Sequence, residues 1–539
     1  MSFEELNMKT IIKTLSNNRY ISSDIIMILI LLAVILLGVF FRFANLENKI
    51  VWHDEALTIS RVSGYYAEEI NKKIFNGKTI LLDELKQYQE KNTQSRNLDI
   101  IKILATDNPQ HPPVYYLLLR LWGNLWGFSI ETLRSLSALW GILLLPAIYF
   151  LCRELEKNRL TGFIATAIIA VSPLHILYAQ EAREYSLWTL SIVISSITFF
   201  KALKNKTALS WIVYSICSLI SIYIFPFSLF IFFGQGFYVW LKEKHRFTKT
   251  VRHFLISCLF AIAGAFPWLW LIFINWDESG SVWTTTKINH FSLVNRWGEN
   301  IYKLFILNTT DNKAAYFLIL SFILLTIVCS FVTLVKQEKR DVLLYIIILA
   351  MIFFLPLAGV DLVFGGQRSI SSRYVIPSLL GIQIAVAFSL NCWLKSQQIF
   401  IRQIAYAIVT AIIIAGITSC AVNLPKNIAW SKGGSDYLID AASIINQAKK
   451  PLVVGNSLGL NFGNILALSH LLEDDSKLLL VDGWKKPDYI NMPSIPQNFD
   501  NIFFLSVSDK FKERIEKKYD ATLESIYYDD QLNIKQLTQ

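Results

Sequence analysis

The sequence predicts a polytopic α-helical membrane protein of about eleven spans, with short helices in its first outer loop and a small soluble α/β domain at its C-terminal end. Three observations predict it. Hydrophobic residues fill 53% of the 539 positions and charged ones only 17%, where soluble domains carry roughly a quarter. Mean hydropathy is +0.42. Apolar runs of spanning length recur up to residue 421, and beyond residue 424 they shorten to strand length. Fourteen per cent aromatic residues, 15 Trp among them, fit belts at membrane interfaces.

Residues 1–23 form a cytoplasmic N-terminus. The first apolar run, 24–41, has no internal charge and no small-residue cleavage site, so it is a span rather than a removed signal. Spans follow near 24–43, 133–151, 160–178, 185–203, 208–223, 224–241, 252–274, 313–335, 341–360, 374–394 and 400–421. The pair around Phe225-Pro226 also reads as one long kinked helix. Arg153/Lys157/Arg159, Lys201/Lys204/Lys206, Lys242/Lys244/Arg246/Lys249 and Lys336/Lys339/Arg340 mark the cytoplasmic side. Residues 45–132, 179–184, 275–312 and 361–373 then fall outside. The net charge of +10 is accounted for by those loops and implies no nucleic acid.

The outer loop 45–132 has two parts. Residues 67–103 read as a polar helical stretch. "PVYYLLLRLWGNLWG" (113–127) is too short to span and carries Arg120 and Asn124 four residues apart, which suits a helix lying in the interface, polar face up. The transmembrane domain thus runs over 24–424. In the extracytoplasmic domain, 425–539, a helix precedes the strand "PLVVG"; "SKLLLVDGW" and "NIFFLSVS" are further strands, and "DKFKERIEKKYD" is a surface helix. No GxGxxG or GKS loop occurs in it. The six Cys lie singly in or beside apolar runs and serve packing.

Ionisable groups gather at four outer helix ends: "WHDEAL" (52–57), "DNPQHPPVYY" (107–116), "SPLHILYAQEAREYSLW" (172–188) and "GGQRSISSRYVIP" (365–377). Each has a plain reading. Asp54 and Glu55 suit the first turn of a helix; "HPP" is a helix start; Glu181 and Arg183 pair with neighbours and Glu184 faces solvent; Arg368 and Arg373 touch lipid phosphates. Their convergence on one face favours a cavity with acids on one wall and arginines on others. That combination suits a phosphate-bearing substrate and a hydroxyl nucleophile.

These four motifs in this order, with "HPPVYYLLL" and "SRYVIPSLLGI" among them, resemble the GT-C membrane glycosyltransferases over roughly residues 20–420. The likeness is to the protein-mannosyltransferase-like, dolichyl-phosphate-mannose-dependent group that includes the aminoarabinose transferases of lipid A. The resemblance implies an inverting transfer of a sugar from a polyprenyl-phosphate carrier to a hydroxyl of a lipid, glycan or protein at the outer face of the cell membrane. Asp54 is then the first candidate for the base and Glu55 the second. Arg373 and Arg183 would hold the carrier phosphate. His53, His111 and Glu181 would orient substrates, and Tyr374, Tyr178 and Trp52 would offer stacking surfaces. The family's second acid falls on Glu181 or Glu184. No cofactor is expected; a divalent metal held by His53, Asp54, Glu55 and Glu181 is the lesser alternative. A transporter of lipid-linked sugars is the competing function, but transporters place charge near the midplane of internal repeats, and here it lies at one edge.

Overall fold

The computed structural model describes residues 24–275, 282–307, 312–427, 436–483, 494–496, 499–528 and 532–538; the N-terminus 1–23 lies outside them. The first span is α1 (Asp24–Phe43). The outer loop then folds as α2 (His53–Ser63), α3 (Ala67–Ile74), β1 (Asn76–Leu81), α4 (Leu82–Lys86), α5 (Asp99–Asp107) and α6 (Pro113–Trp126). The polar stretch 67–103 is therefore not one helical region: "NGKTIL" is a strand. Its conformation is set by distant pairing, Thr79 with Leu479, Ile80 with Leu478 and Leu81 with Lys477. The α6 helix has 14 residues and exposes Leu121, Leu125 and Trp126. Arg120 is fully buried and donates from Nη1 to Val62 O and from Nη2 to Ser95 O, both at 2.7 Å.

The membrane part continues through α7 (Ile130–Leu155), α8 (Arg159–Ala170), α9 (Pro173–Ala179), α10 (Tyr185–Asn205), α11 (Ala208–Ile224), α12 (Leu229–Lys242) and α13 (Lys249–Ile274). After α14 (Val282–Thr285) and α15 (His290–Tyr302) come α16 (Lys313–Lys336), α17 (Arg340–Ile352), α18 (Phe354–Phe364), α19 (Ser372–Leu394) and α20 (Ile399–Asn423). Among the described residues seven helices are long and apolar enough to cross a bilayer, or up to nine spans if each of two bent pairs counts as one. The bent pairs are α8 with α9, at 63°, and α17 with α18, at 40°. The eleven apolar runs map onto these and onto α11 and α12, of 17 and 14 residues, which flank the Phe225-Pro226 break.

Proline explains both bends, which the runs 160–178 and 341–360 do not reveal by hydropathy. Pro173 and Pro356 lack the N–H that would reach Ile169 O and Ile352 O, and their rings crowd those carbonyls. At the first bend the cost is offset by Arg42, fully buried, which donates to Ala170 O at 2.7 Å and Ile169 O at 3.2 Å.

The C-terminal region contains α21 (Asp436–Asn446), β2 (Pro451–Asn456), α22 (Asn461–Leu468), β3 (Lys477–Val481), β4 (Asn501–Leu505), α23 (Asp509–Tyr519), β5 (Thr522–Tyr528) and β6 (Asn533–Thr538). The strands expected from "PLVVG", "SKLLLV" and "NIFFL" are central, and β2 is buried along its whole length. The six-stranded sheet runs β1-β3-β2-β4-β6-β5, parallel where β2 meets β3 and β4 and antiparallel elsewhere. One edge strand is thus supplied from nearly 400 residues upstream. Replacing Ile80, 7% exposed in β1, by Asp should destabilise this sheet by about 2–4 kcal/mol, the scale of an unpaired buried charge. Limited proteolysis of the C-terminal region would report it; unaltered protection would show that β1 is dispensable.

Candidate active site

The α2 helix begins at His53 after Trp52, whose backbone is extended, so Asp54 and Glu55 occupy its first turn, where the helix dipole favours carboxylates. The helix stops at Gly64, φ +104°, whose N–H bonds Arg61 O at 3.0 Å; left-handed backbone there favours glycine. Residues 54 and 55 lie about 100° apart around the helix, and they part company.

Glu55 turns inward. It is fully buried against fully buried Arg134 of α7, with Arg134 Nε on Oε1 and Nη2 on Oε2, each at 2.7 Å. The same guanidinium donates to Leu46 O, Lys49 O and Ile50 O at 2.6, 2.8 and 3.0 Å. Ala182 N–H adds a bond to Glu55 Oε1 at 2.9 Å. Glu55 is a strut in this arrangement, set apart from the group around Asp54.

Asp54 turns outward. Its Oδ2 accepts from Arg373 Nη1 at 2.8 Å, and its side chain is 25% exposed against 14% for Arg373. His53 Nε2 stands 3.6 Å from Oδ1. Arg183, in the turn between α9 and α10, donates from Nη1 to Asp54 O at 3.1 Å and to Thr58 Oγ1 at 3.0 Å. Its other edge meets Glu184, Nε to Oε2 at 3.4 Å. His111, just ahead of α6, places Nδ1 2.9 Å from Glu184 Oε1, and Tyr116 OH reaches Glu184 Oε2 at 3.3 Å. Of the two candidate second acids, Glu184 joins this network; Glu181 is buried in the same turn, where its backbone carbonyl accepts from Arg183 N at 2.7 Å.

Four segments far apart in sequence thus meet, and His53, Asp54, His111, Arg183 and Arg373 meet with them. Arg373 lies 5.4 Å from the Trp52 ring centre and 5.2 Å from that of Tyr374, within cation–π range. Tyr374 stacks on Phe225 at 6.3 Å. Arg368 does not stand free for lipid: it binds Asp361 Oδ1 at 3.1 Å and Gly365 O at 3.2 Å. Asp361 Oδ2 also accepts from Ser369 N and Oγ at 2.7 Å, so the loop that delivers Arg373 is tied down. Sequence reasoning missed Arg134, Thr58 and Tyr116. The one available signal was a lone arginine, Arg134, entering an apolar run.

Burial alone would raise the Asp54 carboxyl, but Arg183, His53, Arg373 and His111 overcome it and hold it well below the usual carboxylate range. Glu184 likewise drops to about 2, burial being outweighed by Arg183 and His111. Burial pushes both His53 and His111 below the ordinary imidazole value, against the pull of Asp54 and Glu184 respectively. The site at neutral pH is therefore two carboxylates, two guanidiniums and two neutral imidazoles. Among the described residues no three His, Cys, Asp or Glu side chains group as metal ligands.

No protein-family model matches this chain, and no curated protein matches it by sequence. Solved structures do. The crystal structure of ArnT from Cupriavidus metallidurans bound to undecaprenyl phosphate aligns over 94% of this chain and 97% of its own, at TM-score 0.51 and 11% identity. The apo structure of the same protein gives TM-score 0.52 at 11% identity, with the same coverage. The chain has the GT-C fold. At 11% identity the likeness fixes the course of the helices, and the chemistry rests on the side chains above.

The Glu55–Arg134 pair is testable. Glu55→Leu leaves a buried guanidinium without its counter-charge, which costs about 3–5 kcal/mol. The double variant Glu55→Leu/Arg134→Met should regain part of that in thermal midpoint, the Leu46, Lys49 and Ile50 carbonyls accounting for the rest. A double variant no better than the single would show that the pair is not the source of the loss.

Proposed function

We propose that this chain is an inverting glycosyltransferase, moving a sugar from a polyprenyl-phosphate carrier to a hydroxyl on a lipid, glycan or protein acceptor at the outer face of the membrane. One observation carries the reading: a partly exposed carboxylate, Asp54, 2.8 Å from the guanidinium of Arg373, with buried Arg183 fixed behind it. The fold supports it, since the ArnT structure that it matches holds undecaprenyl phosphate.

In this reading the acceptor hydroxyl gives its proton to Asp54 while its oxygen attacks the anomeric carbon. The bond from that carbon to the phosphate oxygen breaks, and the electron pair leaves with the carrier phosphate. Arg373 takes up that charge through its fork of donors. Arg183, only 1% exposed, contributes as a fixed positive charge and as the clamp on the Asp54 backbone. Before the carrier arrives, Arg373 holds Asp54 as a poor base. A phosphate that recruits Arg373 brings a negative charge beside Asp54 and raises its affinity for a proton.

Sugar transfer by the purified protein in detergent tests this, and detergent leaves no second compartment for a transporter. Asp54→Asn should lower kcat by about 10²–10⁴ while undecaprenyl phosphate still binds, because the amide no longer competes for Arg373. Loss of carrier binding instead would make Asp54 a donor ligand. Arg373→Ala should weaken carrier affinity by roughly ten- to hundredfold, the worth of a charge-assisted hydrogen bond; unchanged affinity would remove Arg373 from the phosphate site.

The pH dependence follows from the same cations. In the free enzyme the depressed Asp54 is ionised across about pH 5–8, so kcat/KM shows no acid limb from it in that window. With donor bound its affinity for protons is higher, so the acid limb of kcat lies at higher pH than that of kcat/KM. Coincident limbs would contradict the exchange of Arg373 between carboxylate and phosphate.

A further inference from the structure

The α22 helix of the C-terminal region packs its Gly463 directly on the first residue of α2. A Cβ at position 463 would stand 2.9 Å from His53 Cβ and from His53 O, and 3.2 Å from His53 C. The backbone of Gly463 has no positive φ, so helix geometry does not call for glycine, which is unfavourable inside a helix. Close approach does call for it. Two of the three nearest atoms belong to the His53 backbone, which cannot rotate aside as a side chain can.

The rest of the C-terminal region is fastened to the same outer loop. Phe462 meets Phe75 at 5.4 Å. Gln89 Nε2 donates to Leu466 O at 3.0 Å, and Gln89 Oε1 lies 2.8 Å from His470 Nε2. Asn71 Nδ2 bonds Asp482 Oδ1 at 2.7 Å, and β1 completes the sheet. Ile50 N–H, three residues before His53, donates to Asn427 O at 2.8 Å. The α22 helix is therefore held by several bonds at a fixed height over α2, and a displacement of α22 passes to His53 and Asp54.

We propose that α22 is a positioning element of the transfer site, with Gly463 setting the height of the α2 N-terminus and so the reach of Asp54 toward Arg373 and the acceptor. This rests on the reading of Asp54 as the base. The charged and titratable groups facing Asp54 are His53 on its own helix, Arg183 and Glu184 from the turn before α10, His111 from the loop before α6, and Arg373 at the head of α19. The α22 sequence, "NFGNILAL", contributes none, so whatever it does to Asp54 it does through position.

The test uses the full-length protein in detergent, undecaprenyl phosphate as the binding probe, and the sugar-linked carrier that the parent turns over. Gly463→Ala should lower kcat roughly ten- to hundredfold, as sub-ångström to ångström misplacement does. Carrier affinity should stay within about twofold, and the acid limb of kcat should move to higher pH as Asp54 is drawn from its cations. Parent-like kcat and limb overturn the proposal, as does a parallel loss of kcat and carrier affinity with the limb unmoved. Should Gly463→Ala fail to fold, Phe462→Leu loosens α22 from Phe75 without a clash; it should change kcat and the limb in the same directions by less, and parent-like values overturn the proposal again. Tyr528→Ser, on the exposed edge strand β5, should match the parent; an equal loss there would show that α22 has no special part. A parent that transfers no sugar from any polyprenyl-phosphate donor refutes the functional reading itself, separately from any comparison of variants.

Discussion

The site depends on a buried ion pair, Glu55 with Arg134, packed beside it. Desolvating two charges is expensive, and only good geometry with further hydrogen bonds offsets the cost. Glu55 and Arg134 have both: two parallel bonds between them, three backbone carbonyls on the guanidinium and the Ala182 N–H on the carboxylate. The pair welds four pieces of chain: the segment after α1, the first turn of α2, the start of α7 and the turn before α10. Three of these border Asp54 and Arg183. With Glu55 locked inward, the helical step between neighbours directs Asp54 to the open side. The Asp54 carboxylate, the base in the proposed transfer, is thus aimed by the burial of the residue beside it.

The electrostatics are arranged with similar indirection. Arg183 touches the backbone of Asp54 rather than its carboxylate, and Thr58 shares the same nitrogen. Glu184 engages Arg183 from the other edge, so the guanidinium is fixed in plane before any substrate arrives. Arg373 differs: it pairs with the partly exposed Asp54 carboxylate and lies against the faces of Trp52 and Tyr374. In the proposed transfer one arginine is preorganised and the other is exchangeable.

How much of this the sequence disclosed varied with the range of the interaction. Asp54, His111, Arg183 and Arg373 were legible because charges at the ends of apolar runs are costly and so conspicuous. The strands "PLVVG" and "NIFFL" were legible because buried parallel strands read as continuous apolar runs. Illegible features depended on distant partners. Nothing local tells that Arg134 meets a carboxylate 79 positions earlier, and "NGKTIL" is polar enough to pass for helix until β3 pairs with it. The bend after α8 lay in between. Pro173 was visible in the sequence, but the run around it was apolar enough to read as a single span, because hydropathy does not register a missing N–H.

The shared sheet also constrains how the chain is threaded. Because β1 and β3 are hydrogen-bonded neighbours, residues 76–81 and 477–481 lie in the same compartment, and the chain between them must cross the bilayer an even number of times. Among the described residues that interval holds six of the seven long helices and both bent pairs. The undescribed gaps within it are too short for a span of about 20 residues. With each bent pair crossing once and α6 lying along the interface, α11 and α12 must therefore both traverse the membrane or both turn back; a single crossing there would tear a strand from its sheet. Since α1 precedes β1, its single crossing puts Asp24 and the sheet on opposite sides, so one edge-strand pairing ties the orientation of the whole bundle to the folding of its smallest part.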